Sequence, residues 1–161
     1  MVSPSMPEGI LISEVGPRDG LQSVKATMPT ADKLRWISAL HAAGVREIEV
    51  ASFVPAALLP QMADAAEVVR HAVGLPGWTV MALVPNLRGA ERAIESRTDA
   101  LNLVMSVSAT HNLANLRMTP EQSFAALSQV VATAQAAQVA VNVSLSCVFG
   151  CPMDGAVTED D

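Results

Sequence analysis

The chain has 161 residues, enough for one domain with a sizeable core; 50% of them are hydrophobic and only 3% aromatic, so that core must be aliphatic. A formal charge of −6 argues against a general nucleic-acid or anionic-membrane surface. No apolar run approaches the ~18 residues of a membrane span and no basic-then-apolar leader opens the chain, which together point to the cytoplasm.

Residues 1–9, with two prolines and two serines, read as a loose lead-in to a single domain over 1–161. A first strand is expected over 10–15. The stretch 14–22 reads E-V-G-P-R-D-G-L-Q and packs Gly16, Pro17 and Gly20 around Arg18 and Asp19, so it is a turn where that strand ends. A cation fixed beside a carboxylate can serve a metal ion and a developing oxyanion at once; the same pair can equally be a solvated surface ion pair. Thr30 can cap a helix to about Ala43, with Leu34, Ile37 and Leu40 on one face and Gly44 closing it. A second strand is expected over 47–51, with charges at Glu47 and Glu49, and a helix over 58–73.

The third strand, 79–84, is apolar after its threonine, as parallel strands buried on both faces tend to be. Pro85 and Asn86 end it, and a short helix runs to about Ser96. A fourth strand covers 101–105, its apolar run broken by Asn102. His111 then falls in a loop, S-A-T-H-N-L-A-N, while His41 and His71 fall on helices. Thr119-Pro120-Glu121-Gln122 opens another helix with a capping box and a proline at its first position. Phe124, Leu127, Val131 and Ala134 are its expected buried stripe. Val139, Val141, Val143 and Leu145 then alternate with smaller or polar residues, the pattern of a fifth strand. Cys147 and Cys151 are expected to be free thiols near a turn, since a lone C-x3-C is a poor zinc signal.

Strand starts recurring every ~32 residues fit β-α units on a parallel sheet. Arg18, Asp19, Ser52, Asn86, Ser106, Ser108 and Ser146 then gather just past the strands' C-terminal ends. A barrel and an open doubly wound sheet both bind ligands there, so the clustering alone does not separate the two.

Four collinear stretches resemble the 3-hydroxy-3-methylglutaryl-CoA lyase family, metal-dependent TIM-barrel lyases related to Claisen-type synthases. They are E-V-G-P-R-D-G-L-Q at 14–22, A-S-F-V-P-A-A-L-L-P-Q-M-A-D at 51–64, V-P-N-L-R-G at 84–89 and S-C-V-F-G-C-P-M-D-G at 146–155. The resemblance implies a (β/α)8 TIM barrel of which this chain holds about five β-α strands, and retro-Claisen cleavage of hydroxymethylglutaryl-CoA to acetoacetate and acetyl-CoA. By position it implies Asp19 as a ligand of Mg²⁺ or Mn²⁺, Arg18 as the enolate-stabilising cation and Glu49 as the carboxylate holding that arginine. It places Gln22 in the same network and Lys25, Asn115 and Thr119 against the CoA moiety, though Thr119 also explains itself as a helix cap.

The resemblance also implies a His-x-His pair, an asparagine and a glycine-rich cysteine loop that are not found in this chain; neither Cys147 nor Cys151 takes the catalytic cysteine's place. The 161-residue chain alone is therefore expected to be inactive, and to self-associate or form a homo-oligomer through open sheet edges. The E-V-G-P before R-D-G favours the lyase over a related acyl-CoA lyase or Claisen-type synthase. A non-catalytic half-barrel binding protein is the remaining alternative.

Overall fold

The computed structural model describes residues 9–158. Its strands are β1 (Ser13–Glu14), β2 (Glu47–Ser52), β3 (Thr79–Leu83), β4 (Ala100–Ser106) and β5 (Ala140–Ser146). Its helices are α1 (Thr30–Ala42), α2 (Ala65–Val73), α3 (Leu87–Glu95), α4 (Ala109–Leu116) and α5 (Pro120–Ala136). All neighbouring strands pair in parallel, and the order in the sheet is the order in the sequence, β1-β2-β3-β4-β5. A doubly wound sheet reverses its strand order at a switch point, whereas a barrel adds each strand beside the last. The sequential order therefore makes this sheet an arc of a barrel.

Helices α1, α2, α3 and α5 form the outer layer, each touching the next, with α2 on β2 and β3 and α5 on β4 and β5. The core lies between that layer and the sheet. Ile48, Val50, Val80, Ala82, Leu101 and Leu103 from the strands meet Ile37, Val68, Val69, Ala90, Ala93, Val130 and Ala134 from the helices. As the composition requires, the core is aliphatic; Phe53 is its sole fully buried aromatic among the described residues.

Several boundaries differ from expectation, each for a local reason. Most of the lead-in lies outside the described residues, and β1 shrinks to two residues with Ile10–Ile12 exposed beside it. Thr30 is the first residue of α1 and does not cap it; its hydroxyl donates to Asp64 Oδ2 at 2.8 Å. Asp64 Oδ1 also takes Lys33 Nζ at 2.7 Å, and Lys33 is only 2% exposed. With Asp64 engaged by α1 and Pro60 nearby, the expected helix over 58–73 splits into a 3₁₀ turn, Pro60–Met62, and the shorter α2.

The loop expected around His111 is instead α4, capped by Ser108 Oγ accepting from the His111 amide at 3.1 Å. Helix α5 has the expected capping box between Thr119 and Gln122, but its buried stripe is Ser123, Leu127, Val130 and Ala134. Phe124 is 68% exposed, because β5 is the last strand and no further helix covers that flank among the described residues.

Candidate active site at the strand ends

The turn after β1 is a single π-helical turn, Gly16–Gly20, in which the Arg18 and Asp19 amides both donate to the Val15 carbonyl, at 3.1 and 2.7 Å. Glu14 Oε1 folds back to accept from the Gly16 amide at 2.6 Å, occupying space a Cβ on Gly16 would need. Pro17 is buried and anchors the turn, and the side chain of the residue after it is 14% exposed.

That residue is Arg18. Its Nε donates to Glu49 Oε2 at 2.7 Å, Nη2 reaches the same oxygen at 2.5 Å, and Nη1 donates to Asp19 Oδ1 at 3.0 Å. Glu49 is 1% exposed, whereas the Asp19 side chain is 59% exposed. A bulge between Glu49 and Ala51 interrupts the β2-β3 register just where Glu49 must point to the arginine, the kind of place where bulges re-aim side chains. Burying a carboxylate is tolerable only with a partner of this quality: removing one member of such a pair costs about 3–5 kcal/mol. The result is a fixed guanidinium at the strand ends with one exposed carboxylate beside it.

The carboxylate of Glu49 has a further partner that the sequence did not single out. Asn102 Nδ2 donates to Glu49 Oε1 at 3.0 Å, and Asn142 Nδ2 donates to Asn102 Oδ1 at 3.0 Å. The break in the apolar run of β4 was the available signal.

Of the other expected residues, Gln22 follows the turn with its Oε1 shielded from solvent and without a hydrogen-bond donor among the described residues. Lys25 lies on an exposed stretch tied down by Gln61 Nε2 donating to the Val24 carbonyl at 2.6 Å. Asn115 is exposed on α4 and Thr119 is the cap of α5, accepting from the Gln122 amide at 3.3 Å. None of these three bonds to the Arg18–Glu49 pair. The rim serines serve local structure: Ser106 Oγ lies 2.6 Å from His111 Nδ1, and Ser108 Oγ donates to Asp154 Oδ2 at 2.8 Å.

Both cysteines are free. Cys151 is buried, and the Ser108 hydroxyl beside it, with Oγ 3.1 Å from Sγ, lowers its pKa. Desolvation raises that of Cys147, with the neighbouring Cys151 adding to the effect.

A divalent cation such as Mg²⁺ prefers several oxygen donors in near-octahedral array. Asp19 offers one exposed carboxylate of the right chemistry, but no three His, Cys, Asp or Glu side chains cluster for a metal among the described residues. The described residues by themselves therefore do not make such a site.

The profile of the HMGL-like family matches residues 9–158. Hydroxymethylglutaryl-CoA lyase YngG of Bacillus subtilis is 40% identical over 148 residues, 92% of this chain and 50% of that protein. The 3-hydroxy-3-isohexenylglutaryl-CoA/hydroxy-methylglutaryl-CoA lyase of Pseudomonas aeruginosa is 40% identical over 153 residues, 95% and 51% of the two. Among solved structures, the Bacillus subtilis HMG-CoA lyase superposes with a TM-score of 0.89 at 40% identity, covering 94% of this chain and 51% of the other. An Acinetobacter baumannii HMG-CoA lyase in complex with coenzyme A and 3-methylmalate gives 0.84 at 40% identity, covering 93% and 49%. The chain spans about half the length of the relatives it matches.

Proposed function

This chain belongs to the HMGL-like family, and from that premise we propose that it supplies the N-terminal half of a barrel that cleaves 3-hydroxy-3-methylglutaryl-CoA to acetoacetate and acetyl-CoA. The observation that carries the reading is Arg18, held by a Glu49 that is 1% exposed and presented at the strand ends.

Cleavage removes the proton of the tertiary hydroxyl and turns that carbon into a ketone. The bond to C2 breaks, and its electron pair becomes a thioester enolate that takes a proton to give acetyl-CoA. The difficult species is the enolate, so a cation placed at the thioester oxygen acts where charge develops. A guanidinium has five N–H groups. Three are engaged by Glu49 and Asp19, which leaves donors on Nη1 and Nη2 for a substrate oxygen. Glu49 keeps the fork from swinging away and gives Arg18 a fixed place before substrate arrives. In this reading Asp19 is one oxygen donor to a divalent cation, Mg²⁺ or Mn²⁺, which would acidify the hydroxyl; the described residues do not complete its coordination. Gln22 supports the same turn, and Lys25, Asn115 and Thr119 face the CoA portion. The free cysteines suit a cytoplasmic setting.

The Pseudomonas aeruginosa relative, named for the isohexenyl as well as the methyl substrate, matches as closely as the Bacillus subtilis one, so a longer 3-substituent is the second candidate. To test both, the chain is fused to the C-terminal half of the Bacillus subtilis relative and assayed for acetyl-CoA release from each thioester. Arg18→Gln is expected to lower kcat by about 10³-fold or more with KM within about threefold, because its charge acts mainly on the transition state. A variant within tenfold of the parent would show that the cation is assigned wrongly.

A further inference from the structure

Arg18 uses only one oxygen of Glu49; both Nε and Nη2 converge on Oε2. The other oxygen, Oε1, is held by Asn102 from β4, two strands away. Neighbouring strands lie about 4.8 Å apart, so Glu49 and Asn102 start roughly 10 Å from each other across β3. Glu49 is level with Met81 and Asn102 with Leu83, and the contact passes over β3 between those two side chains. Only a sheet curled toward that face brings side chains of alternate strands together, as the interior layers of a barrel do. Behind Asn102 stands Asn142, its direct partner in the β4-β5 register, donating to Asn102 Oδ1.

We propose that Asn102, backed by Asn142, is a positioning residue for Arg18, acting through the plane of the Glu49 carboxylate. The torsion that turns a carboxylate about its last bond is broad and has no sharp minimum of its own. With Oε1 unheld, the carboxylate could rotate and take the guanidinium with it. Asn102 fixes the plane by donating to Oε1. To do so its amide must present NH₂ to Glu49 and oxygen away. Asn142 enforces that orientation, because it donates to the oxygen end. The relay runs Asn142 to Asn102 to Glu49 to Arg18, each step at 3.0 Å or less. An asparagine inside the otherwise apolar A-L-N-L-V-M run of β4 is thereby explained.

The consequence for turnover rests on the lyase function proposed above; the geometry of Arg18 does not. Asn102→Leu keeps the volume and removes the donor, and Asn142→Ala changes an exposed position on the last strand. In the ¹⁵N-labelled chain, exchange of the Arg18 Nε proton with water should speed up about tenfold in Asn102→Leu, the factor that the loss of one hydrogen bond represents. Asn142→Ala should move it the same way by about threefold, since it removes only the orienting bond. In the fused enzyme Asn102→Leu should lower kcat about 10- to 100-fold with KM within about threefold, the split expected of a misplaced transition-state contact. Arg18 exchange unchanged in both variants overturns the proposal. If the parent fusion releases no acetyl-CoA while Arg18 exchange responds as stated, the lyase function falls and the positioning role stands.

Discussion

Two glycines in the family-like segments lie where another chain element passes too close for a side chain, and they differ in what they touch. A Cβ on Gly16 would meet Glu14 Oε1 at 2.8 Å and the Trp36 ring at 3.2 Å. The first is the tip of a flexible side chain that can swing aside, at the cost of its bond to the Gly16 amide. A Cβ on Gly89 would meet Pro85 Cδ at 2.9 Å and the Phe53 carbonyl at 3.3 Å, both rigid. Gly89→Ala should therefore destabilise by about 1–3 kcal/mol, as overpacking does, and Gly16→Ala by about 1 kcal/mol, the value of one hydrogen bond. Denaturant unfolding of the two variants measures this, and the reverse ranking would refute the rigid-contact account. At this scale the turn that carries Arg18 and Asp19 was legible from its glycines and proline, whereas the pairing of Arg18 with Glu49 was implied only by the family resemblance. Asn102 was not legible. Its partner Glu49 lies 53 residues away, and a lone amide in an apolar run reads as a defect until the curled sheet brings the two together.

Among the elements, α4 shows what periodicity cannot reveal. Its sequence, A-T-H-N-L-A-N-L, has no stripe that a core could hold, and Leu113 is 57% exposed. The helix is docked instead by Asn112, which is fully buried. Its Oδ1 accepts from the Ser106 amide at 2.9 Å, and its Nδ2 donates to the Met118 carbonyl at 2.8 Å and to Ser123 Oγ at 2.7 Å. One side chain thus ties the end of β4, the connection after α4 and the first turn of α5. Asn112→Ala leaves several of those groups buried without partners, a loss of about 1–3 kcal/mol. Hydrogen exchange should show α4 amides losing protection well before those of α1; equal loss in both would mean that α4 is not a separately held unit. By contrast β3, β4 and the capping box of α5 were legible, since strand-length apolar runs and a T-P-E-Q start carry their own periodicity and cap chemistry. The split of the helix before α2 was hidden for the same reason as Asn102: Lys33 and Thr30 reach Asp64 from α1.

For the whole molecule the consequence of an arc is an unequal pair of edges. At one end β1 offers two residues; at the other β5 offers seven, with no strand beyond it among the described residues. Val143 and Leu145 point to the α5 side and with Met105, Phe124, Leu127 and Val131 line an open groove of about 390 Å³. Phe124 is 68% exposed, Leu145 53% and Val143 47%. A row of unpaired N–H and C=O groups beside an apolar groove is a template for another chain, and a net charge of −6 spread over the surface does not block it locally. At micromolar concentration the 161-residue chain should therefore sediment as a mixture of species whose mean mass rises with concentration. Leu145→Lys, which puts a charge on the edge at a half-exposed position, should shift that mixture toward monomer with a change in stability under about 0.5 kcal/mol. A compact monomer at all concentrations, unfolding cooperatively and indifferent to Leu145→Lys, would mean that the groove closes on itself and that the edge is not a docking surface.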